Sequence, residues 1–131
     1  MKRATMLLPL LALLALGQHA QAKKAKPTEQ AVIAHLRLSG AGFGALDDVK
    51  ACQDLEDQLE QELLRARTGE MDGNEIGGGE CTLFMYGPNA DKLFRSIERT
   101  VRASKMAKGG WVLKRYGDVD DPKAREVRVK L

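Results

Sequence analysis

The residues that could do chemistry are few, and they fall into small sets. His35 is the single histidine outside the first 22 residues, His19 being the other. Asp72, Glu75 and Glu80 bracket a Gly77-Gly78-Gly79 run. If Asp72 and Glu80 opposed each other across a hairpin, the two carboxylates would share a proton or hold a cation. That arrangement would serve a small ligand- or cation-binding protein or a hydrolase, with His35 joining only if it reaches the same surface. Asp118, Asp120 and Asp121 form a second acidic cluster ahead of Pro122, but the glycine and glutamate frame of a calcium loop is missing. Ser39, Ser96 and Ser104 have no recognisable His and acid partners for nucleophilic attack. Gly40-Ala41-Gly42-Phe43-Gly44 has the look of a phosphate cradle. It lacks the Lys-Ser/Thr pair, and Asp47-Asp48 just beyond it would repel an anion. No catalytic set, no metal site and no cofactor is therefore expected.

The remaining set suits binding better than catalysis. Trp111, Arg115, Arg128 and Lys130 lie on two candidate strands near the C-terminus, and Phe84 and Tyr86 alternate with Cys81, Leu83 and Met85 on another. If helices cover the Cys81 face, Phe84 and Tyr86 point to the other side, where an aromatic patch would mark a contact with a protein partner or a second copy of the chain. The alternative is an ordinary charged sheet face, with Trp111 turned into the core.

Positioning these residues requires a compartment and a fold. Lys2 and Arg3 precede an apolar run from Leu7 to Leu16, followed by Ala20-Gln21-Ala22. A charged end, a short apolar core and a small-x-small cut site in that order describe a secretory signal peptide. The core is too short to span a bilayer, so no stable membrane insertion is expected. Cleavage near Ala22 places the product in the periplasm or outside the cell. It leaves 109 of the 131 residues, with 19 basic against 18 acidic side chains, a formal charge of +1. So nearly neutral a chain lacks the field that nucleic-acid binding requires. Export also permits Cys52 and Cys81 to form a disulfide, although two buried thiols would satisfy an apolar core equally.

Residues 23–30 are polar and read as a flexible tail, leaving 31–131 as one domain. Val32 to Ser39 alternates as a strand. Val49, Cys52, Leu55, Leu59 and Leu63 recur at helical spacing in a segment of about 18–20 residues, capped by Asp47 or Asp48 and ended near Thr68-Gly69. Glu70 to Ile76 and Glu80 to Tyr86 follow as strands. A second helix runs from an Asn89 cap to about Ala103, with Leu93, Phe94, Ile97 and Val101 as its apolar stripe. Trp111 to Tyr116 and Arg125 to Leu131 close the chain as strands. The order is that of a ferredoxin-like βαββαβ unit with an additional C-terminal strand: an α+β fold with two helices on one face of a mainly antiparallel sheet. Cys52 on the buried face of the first helix would then lie above Cys81 on the sheet.

The run Asp72-Gly73-Asn74-Glu75-Ile76-Gly77-Gly78-Gly79-Glu80-Cys81-Thr82-Leu83-Phe84-Met85-Tyr86-Gly87-Pro88-Asn89-Ala90-Asp91, followed by Lys114-Arg115-Tyr116-Gly117, resembles a small domain found in uncharacterised bacterial proteins. The resemblance spans nearly all of residues 23–131. It implies a compact α/β domain, and it brings no activity and no site residue with it.

Overall fold

Alternating and helical periodicities resolve into seven elements: β1 (Gln30–Arg37), α1 (Leu46–Ala66), β2 (Glu70–Gly77), β3 (Glu80–Gly87), α2 (Ala90–Ala103), β4 (Trp111–Tyr116) and β5 (Arg125–Lys130). The computed structural model describes residues 28–40 and 45–131. The expected signal peptide 1–22, most of the expected tail 23–30 and residues 41–44 lie outside the described residues.

The sheet order is β2-β3-β1-β4-β5, and every neighbouring pair is antiparallel. Each helix joins two strands that flank a third: β3 lies between β1 and β2, and β1 between β3 and β4. These are the two split βαβ units of a ferredoxin-like fold, and β5 extends the sheet by pairing with β4. The β2–β3 turn is the two-residue loop Gly78-Gly79, with φ of 60° and 78°. Glycines in the left-handed region give a hairpin turn whose twist matches the strands.

The helix-covered side holds the core. Val32, Ala34 and Leu36 of β1, Leu83 and Met85 of β3 and Val112 of β4 meet Leu55, Leu59 and Leu63 of α1 and Leu93, Phe94, Ile97 and Val101 of α2. Cys52 and Cys81 are disulfide-bonded, which staples α1 to the central part of the sheet across 29 residues. On α1, Val49 is only half-buried, while the polar Asp48 one position earlier is buried.

The N-terminal boundary of α1 departs from the sequence expectation, while its C-terminal end falls near Thr68-Gly69 as expected. The N-cap is Ala45, and neither Asp47 nor Asp48 caps the helix. Asp48 reaches back across the loop and accepts hydrogen bonds from the Ser39 amide at 3.0 Å and from the Ser39 hydroxyl, which tie the end of β1 to the helix. These bonds hold its carboxyl below the usual carboxylate range. The helix ends at Arg67, in the left-handed region at φ 54°, ahead of Gly69. Gly69 serves a different purpose: a Cβ there would strike the Tyr86 carbonyl oxygen and the Leu93 side chain, so the start of β2 passes the end of β3 only as glycine. Asn89 caps α2 as expected, its side chain accepting from the Lys92 amide at 2.9 Å.

Candidate functional site

Strand side chains alternate, so the residues opposite the core form one surface that neither helix covers. Three cross-strand rows build it. Glu70, Tyr86, Ala31, Arg115 and Glu126 make the first; Gly73, Phe84, Ile33, Leu113 and Arg128 the second; Glu75, Thr82, His35, Trp111 and Lys130 the third. Phe84, Tyr86, Trp111, Arg115, Arg128 and Lys130, drawn from three strands, thus share this face. Phe84, Tyr86 and Trp111 are half-buried, and Trp111 does not enter the core.

Trp111 is in close contact with two neighbouring side chains of this surface. The His35 ring stacks on the indole with centroids 3.8 Å apart and planes 9° from parallel. The Arg128 guanidinium lies 3.7 Å from the indole centroid. Two groups this close to one ring cannot share a side of it, so the indole is sandwiched between a residue of β1 and a residue of β5. Stacking and cation–π attraction fix the arginine here without an anionic partner. At the edge of this cluster Glu80 accepts from Arg37 at 3.0 Å and lies 3.4 Å from His35 Nδ1.

Arg115 plays a different part from the other cations. Its guanidinium meets Glu126 at 2.5 Å and the carbonyl oxygens of Asp118, Val119 and Asp121 at 3.3, 3.4 and 2.5 Å. Its charge is spent inside the molecule, holding the β4–β5 loop against the sheet, and its Nε is buried without a partner. Beside it is a cleft of about 310 Å³, lined among others by Glu29, Glu70, Asp72, Tyr86 and Arg115. Burial, with the charges of Asp72 and Glu29, pushes the Tyr86 hydroxyl above its ordinary pKa.

The acidic sets dissolve as chemical constellations. In the β2–β3 ladder Glu80 lies opposite Gly77, and Asp72 lies at a bulge between the Met71–Met85 and Gly73–Phe84 pairs. Asp72 and Glu80 are therefore at opposite ends of the hairpin, about 15 Å apart at ~3.3 Å per residue, and share no proton. Asp118 Oδ1 accepts from the Glu29 amide and Asp121 Oδ1 from the Lys123 amide, both at 2.9 Å, so the first ties this loop to the residue ahead of β1 and the second closes on the loop's own backbone. Among the described residues no three His, Cys, Asp or Glu side chains are arranged to hold a metal ion. The Ser39 hydroxyl donates to Asp48 and the Ser96 hydroxyl to the Lys92 carbonyl, and neither meets His35.

On the helix side of the same strand, Lys114 and the Tyr116 hydroxyl both bind Asp91 Oδ1, at 2.8 and 2.6 Å. Those bonds lower the Asp91 carboxyl and raise Lys114. The trio ties β4 to the first turn of α2. The His35–Trp111–Arg128 sandwich and the Glu80–His35–Arg37 cluster were not foreseen from sequence. Their legible trace was parity: His35, Trp111 and Arg128 each fall on the outward set of their strand.

Fold and surface together define a small α/β domain: a ferredoxin-like unit with an added edge strand and one open face. Among known proteins, no family model matches the chain, no curated protein matches it in sequence and no solved structure matches it. The domain thus stands without detectable family membership, and no residue role comes to it from a relative. Among the described residues, no helix is long and apolar enough to cross a membrane.

Proposed function

We propose that the chain is an exported, non-catalytic domain whose open sheet face binds another protein chain. The observation that supports this is the open face itself: five strands leave one side without a helix, and Ile33, Phe84, Leu113 and Trp111 crowd its middle. A sheet with one face on the core normally turns polar residues outward. Here the outward centre is apolar and aromatic, and the charges lie toward the two edges, as at the centre and rim of a protein contact. The Lys2-to-Ala22 segment supports export, and the Cys52–Cys81 bond suits an oxidising compartment.

Photo-crosslinking in the native cell tests the reading. A photoreactive phenylalanine replacing Phe84 is expected to give protein adducts. The same probe at Leu64, exposed on α1, is expected to give none. Equal labelling from both positions, or none from Phe84, overturns the proposal. Export is checked by fractionation and by sequencing the mature N-terminus, which is expected to begin at Lys23. A cytoplasmic, unprocessed chain would overturn that part.

A further inference from the structure

The charges on the open face are sorted by edge, and the sorting specifies a partner. On edge strand β2 the outward residues are Glu70 and Glu75, with Asp72 at the bulge beside Tyr86. On the opposite edge, β5 presents Arg128 and Lys130, and its Glu126 is already paired with Arg115. Between the edges the central row Phe84, Ile33 and Leu113 is apolar. The strand at the middle is β1, with two strands on either side.

From this symmetry we infer that the partner of the open face is a second copy of the chain, packed sheet against sheet about a two-fold axis running along β1. This deepens the reading of the open face as a binding surface and rests on it. Rotation about that axis lays the acidic β2 edge of one copy over the basic β5 edge of the other, twice. Glu75 falls opposite Lys130 of the second copy, because both occupy the third row at equal distance from β1. Asp72 falls near Arg128, Phe84 over Leu113, and Ile33 over its own copy; in the first row Glu70 falls opposite Glu126, whose charge Arg115 of its own chain offsets. Arg37 also meets its own copy beside the axis, where Glu80 at 3.0 Å serves as its counter-ion. A two-fold axis across the strands would instead set β2 on β2 and β5 on β5, acid on acid and base on base. Of the axes along and across the strands, the charge pattern therefore selects the one along β1.

The area sets the strength. Five strands ~4.8 Å apart and about six residues long at ~3.3 Å per residue make a face of roughly 500 Å². Stable interfaces bury about 800 Å² from each partner. The dimer is thus expected to be weak and concentration-dependent.

Sedimentation of the exported, processed chain from about 10 μM to about 1 mM brackets a weak complex. A monomer-to-dimer shift is expected, with concentration-dependent NMR shifts at Ile33, Phe84 and Leu113. Glu75→Lys and Lys130→Glu should each weaken self-association about tenfold, since each reverses two symmetric rim pairs. Mixing the two variants should restore it. In the mixed dimer the two substituted side chains face each other with opposite charge, and the second rim pair keeps its original Glu75 and Lys130. A monomer at the highest concentration overturns the inference. So does a dimer indifferent to both reversals, or variants that fail to rescue each other. Phe84 adducts with a different protein, from a chain that stays monomeric, would overturn the second copy as occupant and leave the binding face standing.

Discussion

The two faces of this one sheet are built from alternate residues of the same strands, yet they are held by different forces. On the covered face Val32, Leu36, Leu83, Met85 and Val112 have no solvent exposure, and a disulfide ties the sheet to α1. On the open face Ile33, His35, Phe84, Tyr86 and Trp111 are only half-buried, and order comes from ring stacking, cation–π contact and ion pairs. Burial of apolar area stabilises a fold strongly and without direction. Stacks and half-exposed ion pairs contribute little to folding, but they set the shape and charge pattern of the open face. On the proposed reading, stability and recognition are thus assigned to opposite sides of a single layer.

Breaking the covered face should have the largest effect. Leu59→Ala removes a fully buried side chain of α1 and is expected to cost about 2–5 kcal/mol, read from the urea midpoint. Replacing both cysteines by alanine should cost about 3–4 kcal/mol on the chain-entropy account of a 29-residue separation, seen as a lower denaturation midpoint. A variant of either kind that still folds should keep the open-face behaviour of the parent, which separates the two roles. On the open face, Trp111→Ala removes the indole from between His35 and Arg128 and should cost about 1 kcal/mol of stability. Its effect on binding through this face should be clearly larger, and equal losses in the two measurements would erase the division of labour.

The weakest expected effect is on the pH limits of stability. Asp91 is half-exposed, and Lys114 and Tyr116 hold its carboxyl below the ordinary value. Its contribution is present above the unfolded value of about 4 and is lost as pH falls through the lower folded value. Lys114 is raised, so its contribution is present below about 10.5 and is lost as pH rises through its folded value. Asp91→Asn should flatten both limbs slightly in thermal melts taken across pH.

The elements were largely legible from residue order. The stripe at Cys52, Leu55, Leu59 and Leu63 marks α1, and the alternation in β3 separates Leu83 and Met85 from Phe84 and Tyr86. The helix boundary was not: Asp48 has the chemistry of a cap, but its carboxylate serves Ser39, nine residues earlier in the chain. Gly69 likewise has the look of a helix stop, although its small size answers to Tyr86 and Leu93. Local pattern describes what a residue can do nearby and is blind to a better partner arriving from another strand.

The candidate site divides the same way. Amino-acid order alone determined that Trp111, Arg128 and Lys130 lie on late strands, that Phe84 and Tyr86 oppose Cys81, and that the two cysteines could meet. These are consequences of period and parity, which depend on backbone geometry within a few residues. Only the tertiary structure decided that Asp72 and Glu80 lie at opposite ends of the hairpin, that Arg115 is committed to its own loop, and that His35 and Arg128 enclose Trp111. It also decided that acid and base occupy opposite edges of the open face. Those outcomes depend on strand order and register, which the packing of the whole core sets across tens of residues.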